Sequence, residues 1–211
     1  MKSTLLAVGF CSLALSAQAA LTWDVTADYS VNNPNGPWQY GTEDASFDNF
    51  TRMPYNDLVS GYGNSVFHLI VGVASIVQNL TGNSMYGIPN GWVSLQPKPD
   101  GPTVIRWTAP AGLSGDASIN GQFLAGDSGI MQVAVRFNNN QIWNASDAGS
   151  FNLTETIQPG NTIDFLVYGG YGWGNTPLSA KIEVTPVPEP SNYVAGVSAL
   201  AMLYFGWRNR K

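Results

Sequence analysis

The chain has 211 residues, of which only 11% are charged, against roughly a quarter in ordinary globular proteins. Its formal net charge is −5, and residues 20–187 hold thirteen Asp and Glu against five Lys and Arg. This acidic balance argues against a nucleic-acid partner and against anionic lipid headgroups. The length of the 20–187 segment predicts one domain with a core of ordinary size.

The first nineteen residues have the pattern of a secretory signal peptide. Lys2 gives a small positive region, an apolar run extends from Leu5 to Leu15, and Ala17-Gln18-Ala19 is a small-x-small cleavage site. We therefore expect a signal helix over residues 1–19 and export of the rest. Cleavage would remove Cys11, the one cysteine, and leave a mature protein without disulfide or thiol chemistry.

The first half of the domain combines loop and strand signals. Residues 32–64 are rich in turn-forming residues and predict a loop that drapes over the domain. The apolar run VFHLIVGVASIV, residues 66–77, predicts one strand buried on both faces. A short helix is the alternative, which Gly72 and the valines disfavour.

From residue 102 onward, strand signals recur at the spacing expected of an antiparallel all-β domain. Apolar and polar residues alternate over 131–137 and over 178–184, which predicts strands with one buried face. Ile119 and Phe123 predict the core side of another strand near 117–124. A further strand is predicted from Ile163, Phe165 and Val167.

Turn signals separate these strands. Pro159-Gly160 predicts a type II turn, and Asn138-Asn139-Asn140 predicts a hairpin with left-handed backbone. The predicted fold class is therefore all-β, a single antiparallel β-sandwich with a jelly roll as the favoured arrangement. A signal helix and a C-terminal hydrophobic helix would flank it.

The chain ends in an apolar segment, Asn192 to Trp207, which as a helix would measure roughly 24 Å against a hydrocarbon core of ~30 Å. Pro188-Glu189-Pro190 precedes it and stays extended because proline disfavours helix. The basic end, residues 208–211, stays in the cytoplasm by the positive-inside rule. We expect a transient insertion into the inner membrane.

The VPEPS motif, the apolar segment and the terminal RNRK resemble the PEP-CTERM sorting signal of Gram-negative bacteria, the tail recognised by exosortase. The resemblance implies that Pro188, Glu189 and Pro190 form the sorting motif. It also implies that residues 188–211 are removed as the protein reaches the cell surface or the extracellular matrix. A plain single-span membrane anchor is the alternative.

The body of the chain resembles a PEP-CTERM subfamily over most of residues 31–185. Leu95-Gln96-Pro97-Lys98 stands where members commonly carry Leu-His-Pro-Gly, so no role that needs that histidine carries over. The resemblance implies a secreted β-sandwich without assigned enzymatic activity, in organisms that make exopolysaccharide. The matching segments are NPNGPW (33–38), VIRWTAPAG (104–112), INGQF (119–123) and GNTIDFLVYGGYG (160–172).

Residues 126–129, GDSG, look like the nucleophile motif of trypsin-like proteases, and His68 precedes them in the chain. However, Ile130 replaces the second glycine expected there, and the interval from His68 to Ser128 is short for that fold. His68 also lies within an apolar run. A turn between two strands is the favoured interpretation, and no catalytic residue is predicted.

The sequence predicts no cofactor. One histidine and no mature cysteine exclude a zinc site. Calcium stays open as an alternative because carboxylates and loop carbonyls are its ligands, although solvated carboxylates are the favoured interpretation. The candidate carboxylates are Asp116, Asp127, Asp147 and Asp164.

Aromatic residues near Gly, Pro and Asn are the candidates for binding sugars, which pack their C–H faces on aromatic rings. Trp107 and Trp143 fit the core or a sheet face better. The glycine-rich segment 169–174 follows a strand but opens no helix, so it does not predict a dinucleotide site. The candidates for a glycan surface are Trp38, Tyr40, Trp92, Tyr171 and Trp173.

Together these features predict a non-catalytic exported protein, structural or adhesive within an exopolysaccharide matrix, whose partners are exosortase and the polysaccharide. A specific carbohydrate-binding module is the first alternative. A secreted hydrolase is the less favoured one, because no pair of carboxylates is spaced as glycoside hydrolysis requires.

Overall fold

The computed structural model describes residues 19–56, 66–70, 74–170 and 174–187, and these residues form strands, turns and loops without a helix. The strands are β1 Leu21–Asp24, β2 Trp38–Thr42, β3 Thr51–Arg52, β4 Tyr55–Asn56, β5 Val66–Ile70, β6 Ala74–Gln78, β7 Val93–Gln96, β8 Thr103–Thr108, β9 Gly115–Phe123, β10 Gln132–Phe137, β11 Asn140–Ser146, β12 Gly149–Ile157, β13 Thr162–Tyr168 and β14 Thr176–Pro186.

Two antiparallel sheets contain these strands, so the all-β sandwich is confirmed. Sheet 1 has the order β12-β9-β14-β7-β6-β5-β4, and β1 pairs with β14 beside β7. Sheet 2 has the order β11-β10-β13-β8-β2-β3. The predicted terminal helices, residues 1–19 and 192–207, lie almost wholly outside the described residues. None of the described residues forms a helix of the length and apolarity that crossing a membrane requires.

The main hydrophobic core lies between the two sheets. Leu178, Ala180, Ile182 and Val184 are all buried in it, while Lys181 is exposed on the other side of β14. The strand with one buried face predicted over 178–184 is therefore confirmed. The predicted core positions of β9 and β13 are also confirmed, as Ile119, Phe123, Ile163, Phe165 and Val167 are fully buried.

The predicted turns have the expected backbone. Gly160 has a φ of +83°, as the third residue of a type II turn needs, and it follows Pro159. Asn138 and Asn139 have φ values of 49° and 65° between β10 and β11, as in a type I′ hairpin. Asparagine tolerates this left-handed region better than other non-glycine residues.

The prediction of one strand over residues 66–77 is wrong. β5 and β6 form an antiparallel hairpin in which Ile70 pairs with Ala74. An uninterrupted apolar run does not reveal a chain reversal, because the residues before and after the turn are equally apolar.

The strand over 131–137 is buried on both faces, not on one. Residues 43–50, which we call the strap, cover the outward side of sheet 2. Phe47 and Phe50 of the strap pack against Val104, Ala134 and Leu166. Ala134 is small and apolar because it lies beneath the strap. The alternating pattern of the strand does not predict that another segment covers its outward side.

Candidate functional site

Three neighbouring strands of sheet 1 present an uncovered side that is almost entirely polar, and we call it the polar face. It carries amides, hydroxyls and a few charges, since every second side chain of β12, β9 and β14 points away from the core. Its residues are Ser150, Asn152, Thr154 and Thr156 on β12, Asp116, Ser118, Asn120 and Gln122 on β9, and Ser179, Lys181, Glu183 and Thr185 on β14.

A shallow, open cleft of about 320 Å³ lies on the polar face around Asn120, Gln122 and Lys181. Ser150 and Ser179 line its sides, and the strand register places both of them next to Gln122. Serine is shorter than the amide side chains, so the two serines leave a depression in the sheet surface. The cleft therefore presents amide and hydroxyl groups that both donate and accept hydrogen bonds.

The charges around the cleft are mostly negative. Lys181 Nζ lies 3.5 Å from Asp24 Oδ2, and Asp116 and Glu183 are exposed on the same face. Partial burial tends to raise the pKa of Asp24, but hydrogen bonds from Thr26 and the backbone, with the Lys181 charge, lower it overall. Asp24 thus stays ionised and neutralises the one cation of the polar face.

A loop of residues 79–92 lies on the same side of sheet 1, over β6. Ile88 packs with Val77 of β6, and the partly buried Trp92 packs against both of them. Asn79 is fully buried and its Nδ2 donates to the carbonyl oxygens of Asn83 and Ile88, each at 2.8 Å. These contacts hold the loop on the sheet, beside the polar face.

Tyr86 lies at the tip of this loop in a two-residue hairpin. The backbones of Met85 and Ile88 bond to each other, and Tyr86 and Gly87 have φ values of 48° and 74°. A bulky residue in the left-handed region is strained, by about 1 kcal/mol or more, and such positions are concentrated at functional sites. The Tyr86 side chain is 54% exposed.

Asn175 joins three loops at this end of the sheet. Its Nδ2 donates to the carbonyl oxygen of Tyr86 and to Asp127 Oδ1, both at 3.2 Å. Asn175 directly precedes β14, and Ser179 of the cleft follows four residues later, roughly 13 Å along the strand. The Tyr86 loop therefore lies at the end of the polar face that holds the cleft.

The predicted aromatic candidates have different positions. Trp38 and Tyr40 are 2% and 1% exposed on β2 and belong to the core between the two sheets, so their rings are not on a binding surface. Because Trp38 and Tyr40 are close to Pro37 and Gly36 in the sequence, they were predicted to lie in or beside a loop, but they belong to strand β2. Trp92 is partly buried, and Tyr171 and Trp173 lie outside the described residues, as does the sorting motif 188–190.

Tyr86 was missed because its Tyr-Gly sequence differs from the usual Asn-Gly hairpin signal. Its exposure depends on the turn and not on any local hydrophobic pattern. Trp107 and Trp143 belong to the core and its margin, as predicted.

His68 is a core residue. Its ring is fully buried, stacks on Tyr40 with centroids 4.6 Å apart, and meets the edge of Tyr29. His68 Nε2 donates to the Ser30 carbonyl oxygen at 2.8 Å, and burial lowers the pKa of the imidazole. Ser128 lies in an exposed loop, so the two residues do not form a nucleophile and base pair.

Within the described ranges, no three His, Cys, Asp or Glu side chains come together as metal ligands. Among the calcium candidates, Asp127 accepts a hydrogen bond from Asn175, and Asp116 accepts one from Thr156. Asp164 is buried in ion pairs with Arg106 and Arg136.

These ion pairs belong to a buried cluster of two arginines and two carboxylates beneath the strap. Arg106 Nε lies 2.6 Å from Asp164 Oδ1, and Arg136 Nη2 lies 2.6 Å from Glu43 Oε1. Arg136 Nη1 also donates to the Phe47 carbonyl oxygen at 2.8 Å. The charges balance inside the protein, so the cluster fixes the strap and is not a binding site for an external ion.

No protein-family model matches this chain, and no curated protein sequence matches it. Solved structures that match include a family 35 carbohydrate binding module from Clostridium thermocellum, at 12% identity over 68% of this chain and 97% of that chain, with a TM-score of 0.31. The CBM35 from Paenibacillus barcinonensis matches at 12% identity over 76% of this chain and 97% of that chain, with a TM-score of 0.29.

The Agl-KA catalytic domain matches at 17% identity, over 71% of this chain and 29% of that chain, with a TM-score of 0.35. TM-scores this low carry no inference about fold or function.

Proposed function

We propose that this protein is a non-catalytic, exported β-sandwich that binds polysaccharide on its polar face. The observation that carries the proposal is the juxtaposition, on one side of sheet 1, of the amide and hydroxyl cleft with the loop that exposes Tyr86. This arrangement favours specific carbohydrate binding over a purely structural role.

Sugar recognition needs groups that match many hydroxyls and an aromatic surface for the C–H faces. Asn120, Gln122 and the cleft serines supply both donors and acceptors of hydrogen bonds. Tyr86 supplies an exposed ring, and Trp92 lies on the same loop, partly buried against the sheet. An open sheet surface suits a polysaccharide chain that runs across β12, β9 and β14.

The charge of the polar face bears on the kind of polysaccharide. Asp24, Asp116 and Glu183 outnumber Lys181, whose ammonium is already paired. An acidic glycan would meet repulsion here, so the proposed ligand is a neutral polysaccharide.

Export and sorting belong to the same proposal. The signal-peptide pattern and the tail that resembles a PEP-CTERM signal support export across the inner membrane and release by exosortase, with Pro188, Glu189 and Pro190 as the recognised motif. The binding domain would then act at the cell surface or in the extracellular matrix, where polysaccharide is abundant.

Binding of the full chain, in mild detergent, to neutral exopolysaccharide from the producing cells tests this function. The Asn120→Ala, Gln122→Ala double variant should bind about tenfold more weakly or worse, because two neutral hydrogen-bonding side chains are lost. Tyr86→Ala should also weaken binding, whereas Tyr86→Phe keeps the ring and should retain most of it.

The matched control is Asn140→Ala, Gln141→Ala, which removes the same two residue types from the exposed edge of sheet 2. It should bind as the wild type does. Absence of saturable binding by the wild type, or equal loss in both double variants, would refute the polar-face proposal.

A further inference from the structure

β12 is a long edge strand of sheet 1. It pairs with β9 through all nine residues, from Gly149 to Ile157, without a register shift. No described strand pairs with its other edge. Half of its backbone N–H and C=O groups therefore point outward, in the arrangement that another strand can extend.

β12 has few of the features with which natural proteins protect such an edge. Its sequence, GSFNLTETI, has no proline, lysine or arginine, and its only charge is Glu155, which strand alternation places on the core side. The other described edges differ. β3 and β4 have two residues each, and β11 pairs with β10 through a register shift between Val135 and Arg136.

We propose that β12 pairs antiparallel with β12 of a second copy of this chain, across a two-fold axis. In an antiparallel pair about Leu153, Glu155 lies opposite Phe151 of the other copy. A parallel pair in register would place Glu155 beside Glu155, and like charges directly opposite destabilise a sheet. A two-fold antiparallel pair also closes on itself, so it forms a dimer and not an open fibre.

The side-chain pattern of β12 fits this pairing. Directly opposed residues of a sheet share a face. Asn152 and Thr154 therefore meet the polar face of the second copy, while Phe151, Leu153 and Glu155 remain on the core side.

The dimer would join two polar faces on the same side of one continuous sheet. Each cleft is centred on β9, so three interstrand spacings, roughly 14 Å, would separate the two clefts across the strands. This consequence rests on the proposed function. Two clefts on one surface would bind one polysaccharide chain with higher avidity than either alone.

Sedimentation velocity of the full chain in mild detergent tests the pairing. The wild type should form a dimer at micromolar concentration. Thr154→Lys should weaken dimerisation at least tenfold, because a lysine at the edge opposes strand pairing. Thr185→Lys is the matched control, since Thr185 is an exposed threonine on the polar face of β14, away from the edge.

Association through the hydrophobic tail would not respond to Thr154→Lys. The two variants therefore distinguish dimerisation through the β12 edge from association through the tail. A second readout uses Cys11→Ser chains that carry either Asn152→Cys or Thr154→Cys. Mixed and oxidised, these should cross-link to each other more than to themselves, since the two positions are opposed about Leu153.

A wild type that stays monomeric, or equal dimerisation of both lysine variants, would overturn the pairing. Polysaccharide binding by a monomeric wild type would leave the proposed function intact. A dimer that binds no neutral polysaccharide would refute the proposed function and leave the pairing intact. The two failures are therefore distinguishable.

Discussion

Gly121 lies under the cleft, where the ring of Phe151 crosses the core side of β9. A Cβ at this position would lie 2.6 Å from Phe151 Cζ and 2.6 Å from the Ser179 carbonyl oxygen. The position therefore requires glycine for space and not for an unusual φ. The same close approach brings β9 and β14 together beneath the polar side chains of the cleft.

Gly121→Ala should lower the free energy of unfolding by about 1–3 kcal/mol, because the new methyl group overpacks the sheet. Urea denaturation followed by tryptophan fluorescence measures the change. Gly112→Ala is the comparison, since Gly112 has a φ of +78° but open space around it, and it should cost about 1 kcal/mol. A smaller effect at Gly121 than at Gly112 would contradict the steric argument.

The strap is the element whose position depends most on buried charge. Two arginines of sheet 2 meet two carboxylates, and both Glu43 and Asp164 are almost completely buried. The Arg106 guanidinium also lies over the Phe50 ring, with Cζ 4.5 Å from the ring centroid. Each charge is thus compensated by partners on other elements, which fixes one arrangement of the strap on the sheet.

Arg136→Met should destabilise the protein by about 3–5 kcal/mol, because Glu43 and Asp164 would then share one arginine inside the protein. Lys98→Met is the control. Lys98 is partly buried, but its partner Asp100, at 3.4 Å, is 76% exposed, and a pair whose carboxylate is solvated contributes about 0–1 kcal/mol. Thermal unfolding of the two variants should differ clearly, and similar melting temperatures would argue against a structural role for the cluster.

At the scale of elements, the sequence predicted those strands whose two sides face different surroundings. The residues of β14 alternate between apolar and polar because one side of the strand faces the core and the other faces solvent. This pattern is sufficient to predict the strand and its buried side. β10 and β13 are covered on both sides by the core and by the strap. The sequence places the charged residues Arg136 and Asp164 at the surface, because a charged side chain is usually solvated. In the structure they are buried and pair with residues distant in the chain, and such long-range pairing is not visible in the local sequence.

The polar face could not be predicted as a site for a related reason. Its amides and hydroxyls lie on β9, β12 and β14, and only the strand order brings them together. Polar residues at alternate positions of one strand predict that this side of the strand faces solvent, but they do not predict a binding site. Trp38 and Tyr40 show the opposite case, because a Gly- and Pro-rich neighbourhood suggested exposure for two rings that are buried in the core between the sheets.

For the whole molecule, β14, the most C-terminal of the described strands, completes sheet 1. β14 pairs with β9 through nine residues on one side and with β1 and β7 on the other. Leu21, near the start of the described chain, lies opposite Val184. Sheet 1 therefore depends on contacts between the two ends of the domain, and its central strand is the last to be synthesised.

This topology predicts different results for two truncations. A chain that ends at Val187 keeps every described strand, so it should unfold cooperatively with the same midpoint as the full chain. A chain that ends at Tyr168 lacks β14, which leaves β9, β7 and β1 without their common partner and exposes a row of buried side chains. Because those unpaired backbone groups and apolar residues have no alternative partner, the shorter chain should show no cooperative transition in urea. Circular dichroism distinguishes the two, and cooperative unfolding of the chain that ends at Tyr168 would mean that sheet 2 and its core fold without the central strand of sheet 1.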